Sequence, residues 1–170
     1  MYTSVVVEAT DKPEFYRQAA RQLEALLEGE RDPIANAANT AALLFDLLAD
    51  VNWAGFYFLR ERNELVLGPF QGKPACVRIR VGRGVCGAAA LRRQSIVVDD
   101  VQAFPDHIAC DTASRSELVV PLVSGSELIG VLDIDSPTVS RFEADDRSGV
   151  EKLAAIYITA SDFKPTAAKP

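Results

Sequence analysis

The residues of widest chemical range in this chain are three cysteines (Cys76, Cys86 and Cys110), a single histidine (His107) and the acidic run Asp133-Ile134-Asp135. A thiolate can serve as nucleophile, redox centre or metal ligand, whereas a buried thiol behaves as a small apolar group. Cys110 falls in Phe104-Pro105-Asp106-His107-Ile108-Ala109-Cys110-Asp111, inside a stretch from Asp99 to Ser116 with no regular period. A connection of that length within a compact domain is more often functional than passive. A reactive cysteine needs access and a lowered pKa, and His107 and Arg115 are the cationic groups at hand. His107 and Cys110 also form H-x-x-C, but the step from Cys76 to Cys86 is unlike the short spacer of most structural zinc sites. A Cys–His nucleophile pair stays open as well, without a third group that would orient the ring.

Asp133 and Asp135 share one face of a strand, and Leu132 and Ile134 take the other. The preceding Leu128-Ile129-Gly130-Val131-Leu132 is apolar enough for the centre of a sheet. Two carboxylates there are costly unless a cation or a shared proton compensates, or unless the strand end has reached solvent. A crowded cluster would hold one carboxyl protonated near neutral pH, as a proton donor, and leave the others to grip an ammonium group. Glu117 joins that face if the connection around Gly125 has an odd number of residues, and an odd connection is expected. Trp53 and Tyr57, four apart on an aromatic strand, point to one side. They suit either core packing or the wall of a pocket for a small apolar group such as a thioether methyl.

These groups need a scaffold, and the pattern supplies one. Asp11 to Glu14, with Pro13, reads as a helix start, and Phe15, Ala19, Leu23, Leu26 and Leu27 follow at helical spacing. Asp32-Pro33 starts a second helix carrying Ile34, Ala37, Ala41, Leu44, Leu47 and Leu48. Strands are expected over residues 51–60 and Glu64 to Phe70, then over Ala75 to Val81 with Cys76, Arg78 and Arg80 on one face. A short helix from Val85 to Arg93 precedes a brief strand from Ser95 to Val98. Glu117 to Val123 and Glu127 to Ile134 pair around Gly125, and a last helix runs from Glu143 to Ser161. The order implies an α+β sandwich, a central and mostly antiparallel sheet with helices packed against it. One domain is expected, with its core over residues 13–162 and a disordered tail over 164–170. The chain of 170 residues carries a net charge of -6, a poor match for nucleic acid or anionic membranes. No apolar run approaches the ~20 residues of a membrane span, and no leader is evident. An odd number of cysteines and no leader fit a reducing, cytoplasmic setting.

Several blocks together resemble one known family. They are Asn52-Trp53-Ala54-Gly55-Phe56-Tyr57, Gly68-Pro69-Phe70-Gln71-Gly72 with Cys76, and Gly82-Arg83-Gly84-Val85-Cys86-Gly87. They continue through His107-Ile108-Ala109-Cys110-Asp111, Ser114-x-Ser116-Glu117-Leu118-Val119-Val120-Pro121-Leu122 and Gly130-Val131-Leu132-Asp133-Ile134-Asp135-Ser136-Pro137. From Phe15 to Phe163 the chain resembles the free methionine-R-sulfoxide reductases, a branch of the GAF domain superfamily.

The resemblance implies a thiol-dependent reduction of free methionine-R-sulfoxide, with Cys110 as nucleophile, Cys76 as principal resolving cysteine and Cys86 as auxiliary. It implies that Trp53 and Tyr57 wall the methyl end, that Glu117, Asp133 and Asp135 form the polar pocket, and that Glu117 or Asp135 is the acid. No metal and no organic cofactor are implied; thioredoxin is the implied reductant, and a homodimer the implied assembly. Asp106 stands where this family has glycine, and aspartate tolerates a left-handed backbone better than most residues. A GAF sensor module that binds a small ligand such as a cyclic nucleotide is the alternative, and it leaves the triple-cysteine pattern without a role.

Overall fold

The structure, a computed structural model, describes residues 7–61, 63–105 and 112–163. Asp106, His107, Cys110 and the tail from 164 onward lie outside the described residues. Both opening helices begin at the expected caps. In α1 (Lys12–Leu26) the Asp11 carboxylate accepts from the Glu14 amide at 2.7 Å. In α2 (Pro33–Leu47) Asp32 accepts from the amides of Ile34 and Ala35 at 2.8 and 2.9 Å. Each cap satisfies donors that a helix start would otherwise leave orphaned.

The strands are β1 (Trp53–Glu61), β2 (Glu64–Gly72), β3 (Arg78–Arg80), β4 (Ile96–Val98), β5 (Ser116–Ser124) and β6 (Glu127–Ser136). Between them lie α3 (Gly84–Arg92) and a 3₁₀ turn (Val101–Ala103), and α4 (Ala144–Ala160) follows β6. Among the described residues the strands form one antiparallel sheet, ordered β3-β2-β1-β6-β5-β4. Side chains alternate across it. One face sends Phe56, Leu118, Leu122, Leu132 and Ile134 into a core with Leu23, Leu44, Leu153 and Tyr157 of α1, α2 and α4. The other sends Trp53, Tyr57, Val119 and Val131 against Val85, Cys86 and Ala89 of α3. The expected sandwich is therefore present, with three helices on one face and α3 alone on the other.

The three-helix side is locked by Asp146, which is 1% exposed. It accepts from the Tyr16 hydroxyl at 2.8 Å, Lys12 Nζ at 2.6 Å and Arg141 Nη1 at 3.3 Å. Its second oxygen also accepts from the Glu143 amide, which closes a capping box at the start of α4. Among the described residues no helix is long and apolar enough to cross a membrane.

Two expectations are corrected. The alternation over Ala75 to Val81 yields a strand only at Arg78–Arg80. The ladder with β2 ends where Val77 O accepts from the Leu67 amide at 3.0 Å, because Pro69, two residues on, has no amide to donate. The connection around Gly125 is even rather than odd: Ser124 pairs with Glu127, leaving Gly125 and Ser126 as a two-residue turn, with Gly125 at φ +61°. Leu122 nevertheless pairs with Gly130 while Val123 pairs with Leu128, so Ile129 is an extra, bulged residue. The bulge restores the parity that the turn alone would lose.

Candidate functional site

The register around that bulge builds the site. Glu117 stands opposite Asp135, and Val119 opposite Asp133, so the three carboxyl groups share a sheet face. Strand β1 crosses next to β6 with Trp53 opposite Asp135, Gly55 opposite Asp133 and Tyr57 opposite Val131. Trp53 and Tyr57 are thus carried to the same face. Trp53 stacks on Tyr57 at 5.9 Å and on Phe70 of β2 at 5.4 Å between centroids. The stack passes over Gly55, where an added Cβ would come within 2.4 Å of Phe70 Cβ and 2.6 Å of Trp53 Cη2. A side chain at residue 55 is therefore incompatible with this ring position.

These groups line a cleft of about 540 Å³, measured out to its open mouth. Trp53 and Tyr57 form one wall, the first turn of α3 another, and Glu117, Asp133 and Asp135 the floor. Glu117 and Asp133 are each 6% exposed, and Asp135 is half-buried. The strand has not reached solvent at this point. Burial, followed by the charges of Asp133 and Asp135, pushes the Glu117 carboxyl well above the usual carboxylate range. Burial also raises Asp133 to about 6, against hydrogen bonds that favour its charged form. Glu117 is thus the cluster member held most firmly protonated, beside an Asp133 closer to ionisation.

Cys86 Sγ lies 3.9 Å from Glu117 Oε1, in the first turn of α3. A helix N-terminus favours a thiolate by only about 0.3–1 kcal/mol. Burying a charge in an apolar site costs several kcal/mol. Burial wins, helped by the acidic neighbours Asp133 and Glu117, and the Cys86 thiol is pushed well up. It is a free thiol, protonated near neutral pH. Cys76, by contrast, is disulfide-bonded. The two aromatic walls hold its segment in place: Trp53 Nε1 donates to Lys73 O at 3.1 Å and the Tyr57 hydroxyl to Cys76 O at 3.0 Å.

A family model described as the GAF domain matches residues 13–159. The free methionine-R-sulfoxide reductase of Escherichia coli is 55% identical over 157 residues, spanning 91% of this chain and 94% of the relative. The chain belongs to the free methionine-R-sulfoxide reductase family of GAF domains. The reductase of Saccharomyces cerevisiae is 40% identical over 161 residues, 91% of this chain and 89% of the relative. Among solved structures, the free methionine-R-sulfoxide reductase of Neisseria meningitidis in complex with its substrate superposes with a TM-score of 0.88. It is 46% identical and covers 92% of this chain and 94% of its own.

The fold thus brings together Trp53, Tyr57, Cys86, Glu117, Asp133 and Asp135 in one reductase-family cleft. Cys110 and His107, and with them the H-x-x-C and Cys–His readings, lie outside the described residues. Among the further lining residues, Lys73 lies outside every family block, while Arg83 and Ser114 lie inside two of them without an assigned role. Arg83 had a signal, the flanking Gly82 and Gly84, which let the chain turn into α3 beneath the cleft. Ser114 opens one of the family blocks; it accepts a bond from Asn52 Nδ2 at 3.2 Å, a contact between residues 62 positions apart.

Proposed function

We propose that this chain reduces free methionine-R-sulfoxide to methionine in this cleft. The observation that carries the reading is the pairing of a buried carboxyl group held protonated, Glu117, with a disulfide-bonded cysteine, Cys76, beside the same pocket. Cys110 precedes Ser114, which lines the cleft, by four residues, a reach of at most about 14 Å. The Cys110 thiolate attacks the sulfoxide sulfur while Glu117 or Asp135 gives a proton to the oxygen. Methionine leaves, and Cys110 is left as a sulfenic acid. Cys76 condenses with it, releasing water and forming the disulfide, and the dithiol of thioredoxin reduces that bond by exchange.

Trp53 and Tyr57 receive the thioether methyl, and Asp133 and Asp135 hold the ammonium group. Holding the free ammonium would exclude methionine sulfoxide within a peptide chain. Cys86, with its raised pKa, serves as the auxiliary thiol rather than the first attacker, because the thiolate is the nucleophile. The chain works as a homodimer in the cytoplasm, and light scattering is the direct check on the dimer. The deciding experiment is turnover of separated R- and S-sulfoxides of free methionine with thioredoxin, thioredoxin reductase and NADPH. Consumption of the R form alone, abolished in Cys110→Ser, is expected. No turnover of either form, with a small dithiol failing too, would leave the ligand-binding sensor as the better account.

A further inference from the structure

The cleft floor holds a second chemistry besides proton donation. Cys86 Sγ, a Glu117 carboxylate oxygen and an Asp133 carboxylate oxygen all lie within 4.8 Å of one another, on three buried residues. Sulfur and oxygen ligands of a tetrahedral zinc ion stand about 3.5 Å apart. The 3.9 Å between Cys86 Sγ and Glu117 Oε1 is therefore a few tenths of an ångström from a ligating separation. An independent observation also points to a ligand. Asp133 Oδ1 is buried and has no hydrogen-bond partner, and an orphaned carboxylate oxygen is stabilised by a cation.

We propose that Cys86, Glu117 and Asp133 form a binding site for a thiophilic divalent cation, zinc above all, and that its occupation blocks the cleft. The three ligands come from the first turn of α3, from β5 and from β6, so packing already fixes their relative positions. The donor set is thiolate plus carboxylate, which suits zinc better than the hard cations magnesium and calcium. The cation displaces the Cys86 proton to solvent and no electron is transferred. Three anionic ligands around a dication carry one net negative charge, where the same groups ionised without it would carry three. The fourth position faces the cleft and takes water. Disulfide bonding of Cys76 leaves Cys86 a free thiol, so the site persists in the oxidised protein. Blocking rests on the reading of Asp133 as an ammonium ligand; cation binding does not.

The test uses the full chain in its disulfide form, stripped of metal, titrated with zinc against a chromophoric chelator. One zinc per chain with a Kd of about 1 μM or tighter is expected, weakened at least about 30-fold in Cys86→Ser and about 10-fold in Asp133→Asn. Cobalt should give a thiolate-to-metal charge-transfer band in the wild type that Cys86→Ser lacks. Cys86→Ala repeats the measurement should the serine variant fail to fold, as judged by circular dichroism. No saturable binding up to about 100 μM, or binding untouched by loss of the Cys86 sulfur, would overturn the site. In a second arm, free methionine-R-sulfoxide should raise the apparent zinc Kd. Zinc bound but indifferent to the sulfoxide would overturn blocking alone. Absence of sulfoxide turnover with zinc binding intact would instead fault the assignment of the enzymatic reaction.

Discussion

Glu117 and Asp135 stand directly opposite one another on β5 and β6, and the bulged Ile129 puts them there. Without the extra residue, the two-residue turn at Gly125 and Ser126 would set Glu117 opposite Ile134, and its carboxyl would point into the three-helix core. The bulge converts a hairpin of the wrong parity into a carboxyl cluster.

That placement makes Glu117→Gln informative. Glutamine keeps the shape and hydrogen-bonding capacity but has no acidic proton. Loss of a general acid costs about 10²–10⁴-fold, so kcat on the R-sulfoxide should fall at least 100-fold while KM changes little. An unchanged kcat would pass the acid role to Asp135.

Asp133 should leave a mark on stability against pH. Its carboxyl rises from 3.8 to about 6 on folding, chiefly through burial. Between those values the folded state binds the proton more tightly than the unfolded state, so this group's contribution falls as pH rises from about 4 to 6. Asp133→Asn removes the effect. The melting temperature of the variant relative to wild type should therefore climb across that window and level off above it. A difference that stays flat from pH 4 to 7 would count against the raised value.

Gly55→Ala addresses the aromatic wall. The methyl would sit within 2.6 Å of the Trp53 ring and within 2.4 Å of Phe70 Cβ, so the stack must shift. Overpacking of this kind costs about 1–3 kcal/mol. KM should rise by about tenfold or more, and the emission of Trp53, the only tryptophan, should change. A variant with normal KM and unaltered emission would place the methyl pocket elsewhere.

Asp146→Asn separates stability from chemistry. Burial by itself would raise this carboxyl, but Lys12, the Glu143 amide, Tyr16 and Arg141 hold it below the usual range. Its contribution is present above the unfolded pKa and is lost as pH falls through the lower, folded value. Lys12 is 36% exposed, so the pair is partly screened. A loss of about 2 kcal/mol is expected near neutral pH, or about 4–8 °C in melting temperature for a chain of this size. The loss should shrink towards pH 3. Because α1 and α4 pack on the sheet face opposite the cleft, kcat/KM of the folded variant should be unchanged.

The sequence by itself determined whatever depends on one element at a time. Asp11-Lys12-Pro13 and Asp32-Pro33 set the first two helix starts through local capping. The period of two placed Asp133 with Asp135, and Trp53 with Tyr57, because alternation is a property of a single strand. The blocks around Asn52, Gly82, Ser116 and Gly130 carried the family resemblance. Tertiary structure alone decided relations between elements. Neither the bulge at Ile129 nor the even turn has a sequence signal that outweighs the other, yet together they fix which face receives Glu117. The ladder stops short of Cys76 because of Pro69 on the neighbouring strand, a residue outside the alternating stretch itself. The pKa shifts of Glu117, Asp133 and Cys86 arise where β5, β6 and α3 close over one another. Charge is made costly by burial, and burial exists only once the chain has folded.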